Sequence, residues 1–240
     1  MQEISMNTEL TIIIPLYNEE DRIGNLARLY TFLRTFPHKV EVLLVNDGST
    51  DRTAQKLTKA VKQYGFRIIS YAENHGKGFA LRQGVKEARG AYILLTDIDL
   101  SVPITFLDRF WHIRQKADIV IATRRHPESR IFLHQSALRE VSGWGFTALT
   151  RVWLGIDASD VTCGFKLFEK SAAQAIFLKS IINRFAFDAE VLFLAKRMGF
   201  TIHEEPVDWE NDRRSTVVFP RDVVISFVDL LRVRLNHTLM

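Results

Sequence analysis

Apolar positions in the first half of this chain come in blocks rather than singly. Leu10-Thr11-Ile12-Ile13-Ile14 is a β-branched run closed by Pro15, and the acids of Asn18-Glu19-Glu20-Asp21 that follow it suit a helix N-terminus. A second run, Val40 to Val45, stops at Asn46-Asp47-Gly48-Ser49, after which Thr50-Asp51 can cap a helix reaching about Tyr64. Arg67 to Tyr71 predicts a third strand, Lys77 to Ala88 a third helix, and Ala91 to Thr96 a fourth strand ending at Asp97. Continuous apolar strands separated by amphipathic helices predict an α/β fold, its mostly parallel sheet covered on both faces. Another strand ends at Thr123, and after Ile121 the regular alternation fails. Arg124 to Arg151 carries arginines at 124, 125, 130, 139 and 151 against Glu128 and Glu140, and reads as a specialised insertion. Cys163 to Phe168 then predicts a returning strand, Phe187 to Met198 a helix, Phe200 to Glu204 a strand and Pro220 to Leu235 a terminal helix. With no repeats or Gly/Ser linkers, one domain over 1–240 is expected.

Composition narrows the class. A chain of 240 residues that is 47% hydrophobic and 25% charged can bury one substantial core. Its longest apolar runs are strand-length, far below the ~20 residues that cross a bilayer. Met1 to Glu9 carries Glu3 and Glu9 and has neither a basic start nor an apolar core, so no secretion signal is expected and a cytoplasmic location is. The single cysteine, Cys163, excludes an internal disulfide or a multi-cysteine metal site and reads as a small buried hydrophobe. A net charge of +4 is compatible with nucleic acid, anionic lipid or a phosphorylated substrate. The basic residues are interleaved with acids, which argues against nucleic acid as a partner.

The polar clusters Tyr17-Asn18-Glu19, Asp47-Gly48-Ser49, His75-Gly76-Lys77 and Asp97-Ile98-Asp99 all fall at strand C-terminal ends or open the next helix. In open α/β sheets that edge binds ligands. In Asp97-Ile98-Asp99, alternate residues of an extended chain would point the same way, converging two carboxylates while Ile98 faces the core. Hard oxygen donors with open positions suit Mg²⁺ or Mn²⁺ completed by phosphate oxygens. A lone D-x-D is common in surface loops, but two carboxylates at a strand end are costly without a cation, and the sequence offers no obvious partner. Asp47 can accept hydrogen bonds from a nucleoside, or serve only as a turn and cap. His75-Gly76-Lys77-Gly78 would place a cation near phosphates but lacks P-loop spacing, and no G-x-G-x-x-G follows the first strand.

Taken in order, Ile13-Ile14-Pro15-Leu16-Tyr17-Asn18-Glu19-Glu20, Val45-Asn46-Asp47-Gly48-Ser49-Thr50-Asp51, Asn74-His75-Gly76-Lys77-Gly78 and Thr96-Asp97-Ile98-Asp99 resemble the inverting family 2 glycosyltransferases of GT-A fold. Arg124-Arg125, Cys163-Gly164-Phe165-Lys166-Leu167-Phe168 and Phe185-Ala186-Phe187-Asp188-Ala189-Glu190 are similar to the dolichyl-phosphate glucosyltransferase branch, which moves glucose from UDP-glucose to a polyprenyl phosphate. The resemblance covers about residues 8 to 235. It implies a nucleotide-sugar-binding half, 1–123, and an acceptor-binding half, 124–240. It also implies that Pro15, Tyr17, Glu19 and Asp47 line a nucleoside pocket with Lys77 nearby, and that Asp97 and Asp99 hold Mg²⁺ or Mn²⁺ and the donor diphosphate. The sequence departs from the family pattern at Asn46, usually Asp; at Ile98, commonly Ala; and at Ser101, Gln in mannosyl relatives. Arg213-Arg214-Ser215-Thr216 replaces a G-S-K stretch, so Arg213 or Arg214 would supply the missing cation.

A lipid phosphate is already ionised at neutral pH, so positioning and charge stabilisation would dominate over general-base catalysis. Arg124 and Arg125, directly after a strand, are the expected phosphate contacts, with Arg130 a further candidate; Asp160 would orient the acceptor, act as base toward a sugar hydroxyl, or simply cap a turn. Such an acceptor requires peripheral contact with the inner face of a membrane, or a membrane partner protein. His134 to Trp153, with Leu138, Val141, Trp144, Leu149, Val152, Trp153, Arg139 and Arg151, is the expected dock, bent or broken at Gly143 and Gly145. The terminal helix is expected to pack on the domain's own sheet.

Overall fold

A computed structural model describes residues 8–212 and 221–238. Strands β1 (Leu10–Leu16), β2 (Val40–Asp47), β3 (Arg67–Tyr71) and β4 (Tyr92–Leu95) alternate with helices α1 (Asn25–Leu33), α2 (Thr53–Tyr64) and α3 (Lys77–Glu87). Then come α4 (Phe106–Ile113), β5 (Ile119–Thr123), β6 (Ile131–Leu133), α5 (Ala137–Leu154), β7 (Lys166–Glu169), α6 (Lys170–Lys179) and α7 (Phe187–Arg197). The chain closes with β8 (Ile202–Pro206), β9 (Trp209–Glu210) and α8 (Arg221–Thr238). Seven strands form the central sheet in the order β3-β2-β1-β4-β7-β5-β8, while β6 and β9 pair separately. All neighbours in the sheet run parallel except β7, which is antiparallel to both β4 and β5.

The period of two along β1 explains the two-sided core. Ile12 and Ile14 face Leu26, Leu29 and Leu57 of α1 and α2, and Ile13 faces Ala80, Leu81 and Val85 of α3. Each such fully buried side chain contributes on the order of 1.5–3 kcal/mol, so a strand apolar on both faces must sit between helix layers.

Three expectations change. Residues 18–21 do not start a helix, because they are bonded to the 49–53 turn, and α1 begins only at Asn25. The 137–154 segment is one unbroken helix despite Gly143 and Gly145: Phe146, Thr147, Thr150 and Leu154 are buried, and tertiary packing outweighs the glycine penalty. The terminal helix α8 packs on α5 and α7, with Phe227 edge-on to Phe146 at 5.8 Å and His237 Nε2 2.7 Å from Glu190 Oε1. Among the described residues no helix is long and apolar enough to cross a membrane.

Candidate active site

The C-terminal ends of β1, β2 and β4 border a cavity of about 550 Å³. Pro15, Tyr17, Glu19, Asp47, Lys77, Asp97 and Asp99 all line it. Asn18, at φ +54°, is the clasp that shapes its first wall. Its Oδ1 accepts from the backbone N–H of Thr50 (2.8 Å) and Asp51 (3.3 Å), while its own N–H donates to Ser49 Oγ (3.0 Å). Glu19 N–H donates to Thr53 Oγ1 at 2.8 Å. The β1 and β2 loops are therefore one unit, a use of Asn in the left-handed region that its short polar side chain permits.

Asp47 organises the opposite wall. Its Oδ2 accepts from Asn74 Nδ2 and Gly76 N–H, both at 2.8 Å, and its Oδ1 from His75 N–H at 3.0 Å. Three of the carboxylate's roughly four acceptor directions thus hold the loop before α3. Gly76, at φ +105°, lies so close to the Asn183 carbonyl that a Cβ would collide with it. The same carbonyl accepts from Gly78 and Phe79 at the start of α3, locking the root of Lys77 in place.

Asp97 and Asp99 converge, but not through a pleat: β4 ends at Leu95, and Leu100 follows the pair at φ +51°, so a turn aims both carboxylates into the cavity while Ile98 is buried. Ser101 N–H steadies Asp99 Oδ1 at 3.0 Å, and Asn25 Nδ2 donates to the Ile98 carbonyl at 3.0 Å. Burial, then the neighbouring Asp97 charge, pushes the Asp99 carboxyl up. The expectation that the pair lacks a protein partner is corrected here, since Lys77 Nζ lies 2.6 Å from Asp97 Oδ1. Burial opposes the Lys77 charge, but Asp97 and Asp188 override it and the ammonium is pushed up to about 12. Two hard oxygen donors fit Mg²⁺ or Mn²⁺, but among the described residues no cluster of three or more His, Cys, Asp or Glu could hold a metal by itself.

The expected phosphate-binding arginines are placed differently. Arg124 forms a bidentate pair with Asp160, Nε–Oδ2 2.6 Å and Nη2–Oδ1 2.8 Å, and also reaches Thr162 Oγ1. Burial disfavours the Asp160 charge, yet Arg124 holds its carboxyl well below the usual carboxylate range. An acid so strongly ionised and fully enclosed is a poor base, and neither residue lines the cavity. Arg125 donates to the Ser159 and Gly143 carbonyls (3.0 and 2.9 Å) and lies over the Trp144 ring, bracing α5. Arg130 is exposed and away from the cavity, and Arg213 and Arg214 lie outside the described residues.

Several lining residues escape a reading by motif. Arg22 bridges Glu19 (2.7 Å) and Asp212 (2.9 Å) across 190 positions of sequence. Gln135, Arg184, Trp209 and Asn211 also line the cavity, as does Phe185 from the stretch singled out above. Arg184 directly precedes the Phe185-to-Glu190 stretch singled out above, and that adjacency was its one available signal.

The family model described as glycosyl transferase family 2 matches residues 11–177, more than half of the chain. The chain belongs to this family. The glycosyltransferase is 30% identical to a dolichyl-phosphate β-glucosyltransferase of Dictyostelium discoideum over 97% of this chain and 76% of that one. It is 33% identical to the Drosophila melanogaster enzyme of that name, over 86% of this chain and 68% of the relative. Among solved structures, glucosyl-3-phosphoglycerate synthase from Mycobacterium tuberculosis in complex with Mn²⁺ and UDP-glucose superposes with TM-score 0.66 at 17% identity, covering 95% of this chain and 79% of that one. The shared architecture is the GT-A fold. Family membership makes the chain an enzyme.

Proposed function

We propose that this glycosyltransferase moves glucose from UDP-glucose to a dolichyl or other polyprenyl phosphate, with inversion at the anomeric carbon. The observation that carries the reading is the cavity itself. Asp97 and Asp99 face Lys77 at the strand ends, in a chain whose relatives at about 30% identity bear that activity in their names. Pro15, Tyr17 and Glu19 border the nucleoside, and Asp47 orders the loop that carries Lys77. A divalent cation held by Asp97 and Asp99 supplies neutralisation of the departing diphosphate. An acceptor phosphate oxygen then forms the new bond to the anomeric carbon as the bond to UDP breaks. The acceptor oxygen is already anionic, so no protein base is required, which suits a site where Asp160 is enclosed. Arg184, without a carboxylate partner among the described residues, stands at the cavity to meet the acceptor phosphate. Assay of UDP-glucose, GDP-mannose, UDP-galactose and UDP-N-acetylglucosamine with a short polyprenyl phosphate tests this. UDP-glucose is expected to be preferred, and EDTA to abolish turnover. Preference for GDP-mannose would replace the donor, and transfer only to soluble acceptors would replace the acceptor.

The acceptor implies peripheral contact with the cytoplasmic face of a membrane, and two packed helices suit it. On α5, Leu138, Val141, Trp144 and Val152 are exposed, the last at 84%; on α8, Val224, Val228, Leu231 and Leu235 are exposed. Exposed apolar residues at three- and four-residue spacing on both helices form a surface larger than isolated surface hydrophobes make. Gln135, which lines the cavity, lies just before α5, joining this surface to the site. Arg139 and Arg151 on α5 and Arg232 and Arg234 on α8 add basic groups, of which Arg151 and Arg232 are paired with Asp157 and Asp229. The variant Val141→Ser/Trp144→Ser/Val228→Ser/Leu231→Ser is expected to lose co-sedimentation with anionic vesicles while binding UDP normally. Pelleting equal to the parent's would exclude these helices as the dock.

A further inference from the structure

Lys77 is more than another positive charge in the cavity, because its ammonium occupies a carboxylate oxygen of the residue pair assigned to the cation. Asp97 Oδ2 lies close to Gly164, where a Cβ would collide with it, so the glycine leaves the carboxylate the room it occupies. Lys77 in turn has a fixed root at the first residue of α3, a flexible four-carbon stem, and the Phe187 ring 5.8 Å from its Nζ. The other anions around it are engaged. Asp188 is paired with the buried Lys166, whose remaining hydrogens go to the Val161 and Cys163 carbonyls. Glu19 is paired with Arg22. Of the carboxylates whose charge acts on Lys77, Asp188 is therefore engaged and Asp97 and Asp99 are the pair assigned to the cation, so an ammonium that leaves Asp97 has only Asp99 beside it.

The charges count in the same direction. Asp97, Asp99 and Lys77 sum to −1; a divalent cation alone would bring the cluster to +1 with the ammonium still at its ligand. A donor diphosphate reverses that sign and offers oxygens both to the cation and to Lys77. We propose that Lys77 is the resting counter-ion of the metal site, releasing Asp97 to the divalent cation only when the nucleotide diphosphate arrives to take the ammonium, so that metal and donor bind as a coupled pair. The inference rests on the assignment of Asp97 and Asp99 to the cation. Its consequence is an enzyme that holds little metal between turnovers and closes its metal site around the substrate.

Titration of Mn²⁺ by electron paramagnetic resonance, with and without UDP, tests the coupling without recourse to turnover. The parent is expected to bind Mn²⁺ alone at least ~10-fold more weakly than in the presence of UDP, and linkage requires the same factor in UDP affinity with and without Mn²⁺. Lys77→Met, with Lys77→Gln as a second variant should the first fold poorly, is expected to bind Mn²⁺ alone ~10-fold more tightly than the parent while losing much of the UDP effect. Lys77→Arg, which keeps the charge, should remain as weak as the parent. Equal or weaker Mn²⁺ binding by the neutral variants overturns the proposal. Asp97→Asn and Asp99→Asn separate the underlying assignment: if neither weakens Mn²⁺ binding in the presence of UDP, the cation is held elsewhere and the site reading fails instead.

Discussion

Asp99→Asn is expected to lower kcat at least ~100-fold at saturating donor and Mn²⁺ while leaving the protein as stable as the parent or more so. The rate loss follows from removing one preorganised charge at the point where the leaving diphosphate gathers negative charge. The stability is the less obvious half. Burial and Asp97 raise the Asp99 pKa in the folded state, so the folded protein prefers that carboxyl protonated, and ionisation costs stability as pH rises through the unfolded value near 4 toward the folded one. An amide of the same shape removes that cost and can still accept the Ser101 N–H bond that shapes the turn. The checks are steady-state kinetics and a thermal melt on one preparation. A variant that keeps more than half of the parent kcat would remove Asp99 from the reacting centre. A large fall in Tm would make the rate loss a folding effect. The same shift bears on the pH dependence of activity. Protons compete with the cation for a carboxyl of raised pKa, so the apparent affinity for Mn²⁺ should weaken on the acid side at higher pH than an ordinary aspartate would cause.

The site was legible where function follows from local position, and illegible where it follows from pairing. Ile12 to Ile14, Val40 to Val45 and Tyr92 to Leu95 announce strands because each is apolar on both faces, and the residues ending them reach one edge because parallel strands all end there. Nothing local announces that Lys77 would meet Asp97, or that Arg124 would meet Asp160 across 36 positions. The second pair exists because β7 enters the sheet antiparallel between β4 and β5, which brings the 160–165 segment beside the end of β5, and the first because the start of α3 lies beside the turn after β4. Hydrophobic period cannot state strand direction. The Gly143 and Gly145 positions misled for a related reason: glycine propensity is a local cost of about 1 kcal/mol each, and the burial of Phe146, Thr147, Thr150 and Leu154 that outweighs it depends on partners from elsewhere in the chain, Phe227 among them. Asn18 to Asp21 carry the acids of a helix start, but their groups bond to a turn about 30 residues away, so composition suggested an element that tertiary contacts replaced.

Asp160→Asn is expected to destabilise the fold by about 3–5 kcal/mol, the cost of leaving one member of a buried ion pair uncompensated. For a chain of this length that is a fall in Tm on the order of 10 °C. Asp160 is fully buried and accepts two side-chain bonds from Arg124 as well as the Arg124 backbone N–H at 3.1 Å. An amide can accept on one side only, and its NH₂ would face a guanidinium that has nothing but donors. The pH dependence has a fixed sign. The Asp160 pKa is depressed in the folded protein, so its contribution is fully present above the unfolded value near 4 and is lost as pH falls through the depressed folded one; the parent should lose its margin over the variant only in strong acid. Arg124→Met/Asp160→Leu removes both charges and is expected to recover much of the lost stability, because no unpaired ion remains. This contrast also decides the role of Asp160. A catalytic base at that position would make Asp160→Asn a folded protein with an unchanged Tm and a kcat reduced by orders of magnitude, and the double variant no better. A reduced Tm with near-normal kcat below the melting range, restored in the double variant, assigns the pair to holding the 160–165 segment, and with it Gly164 against Asp97, in place.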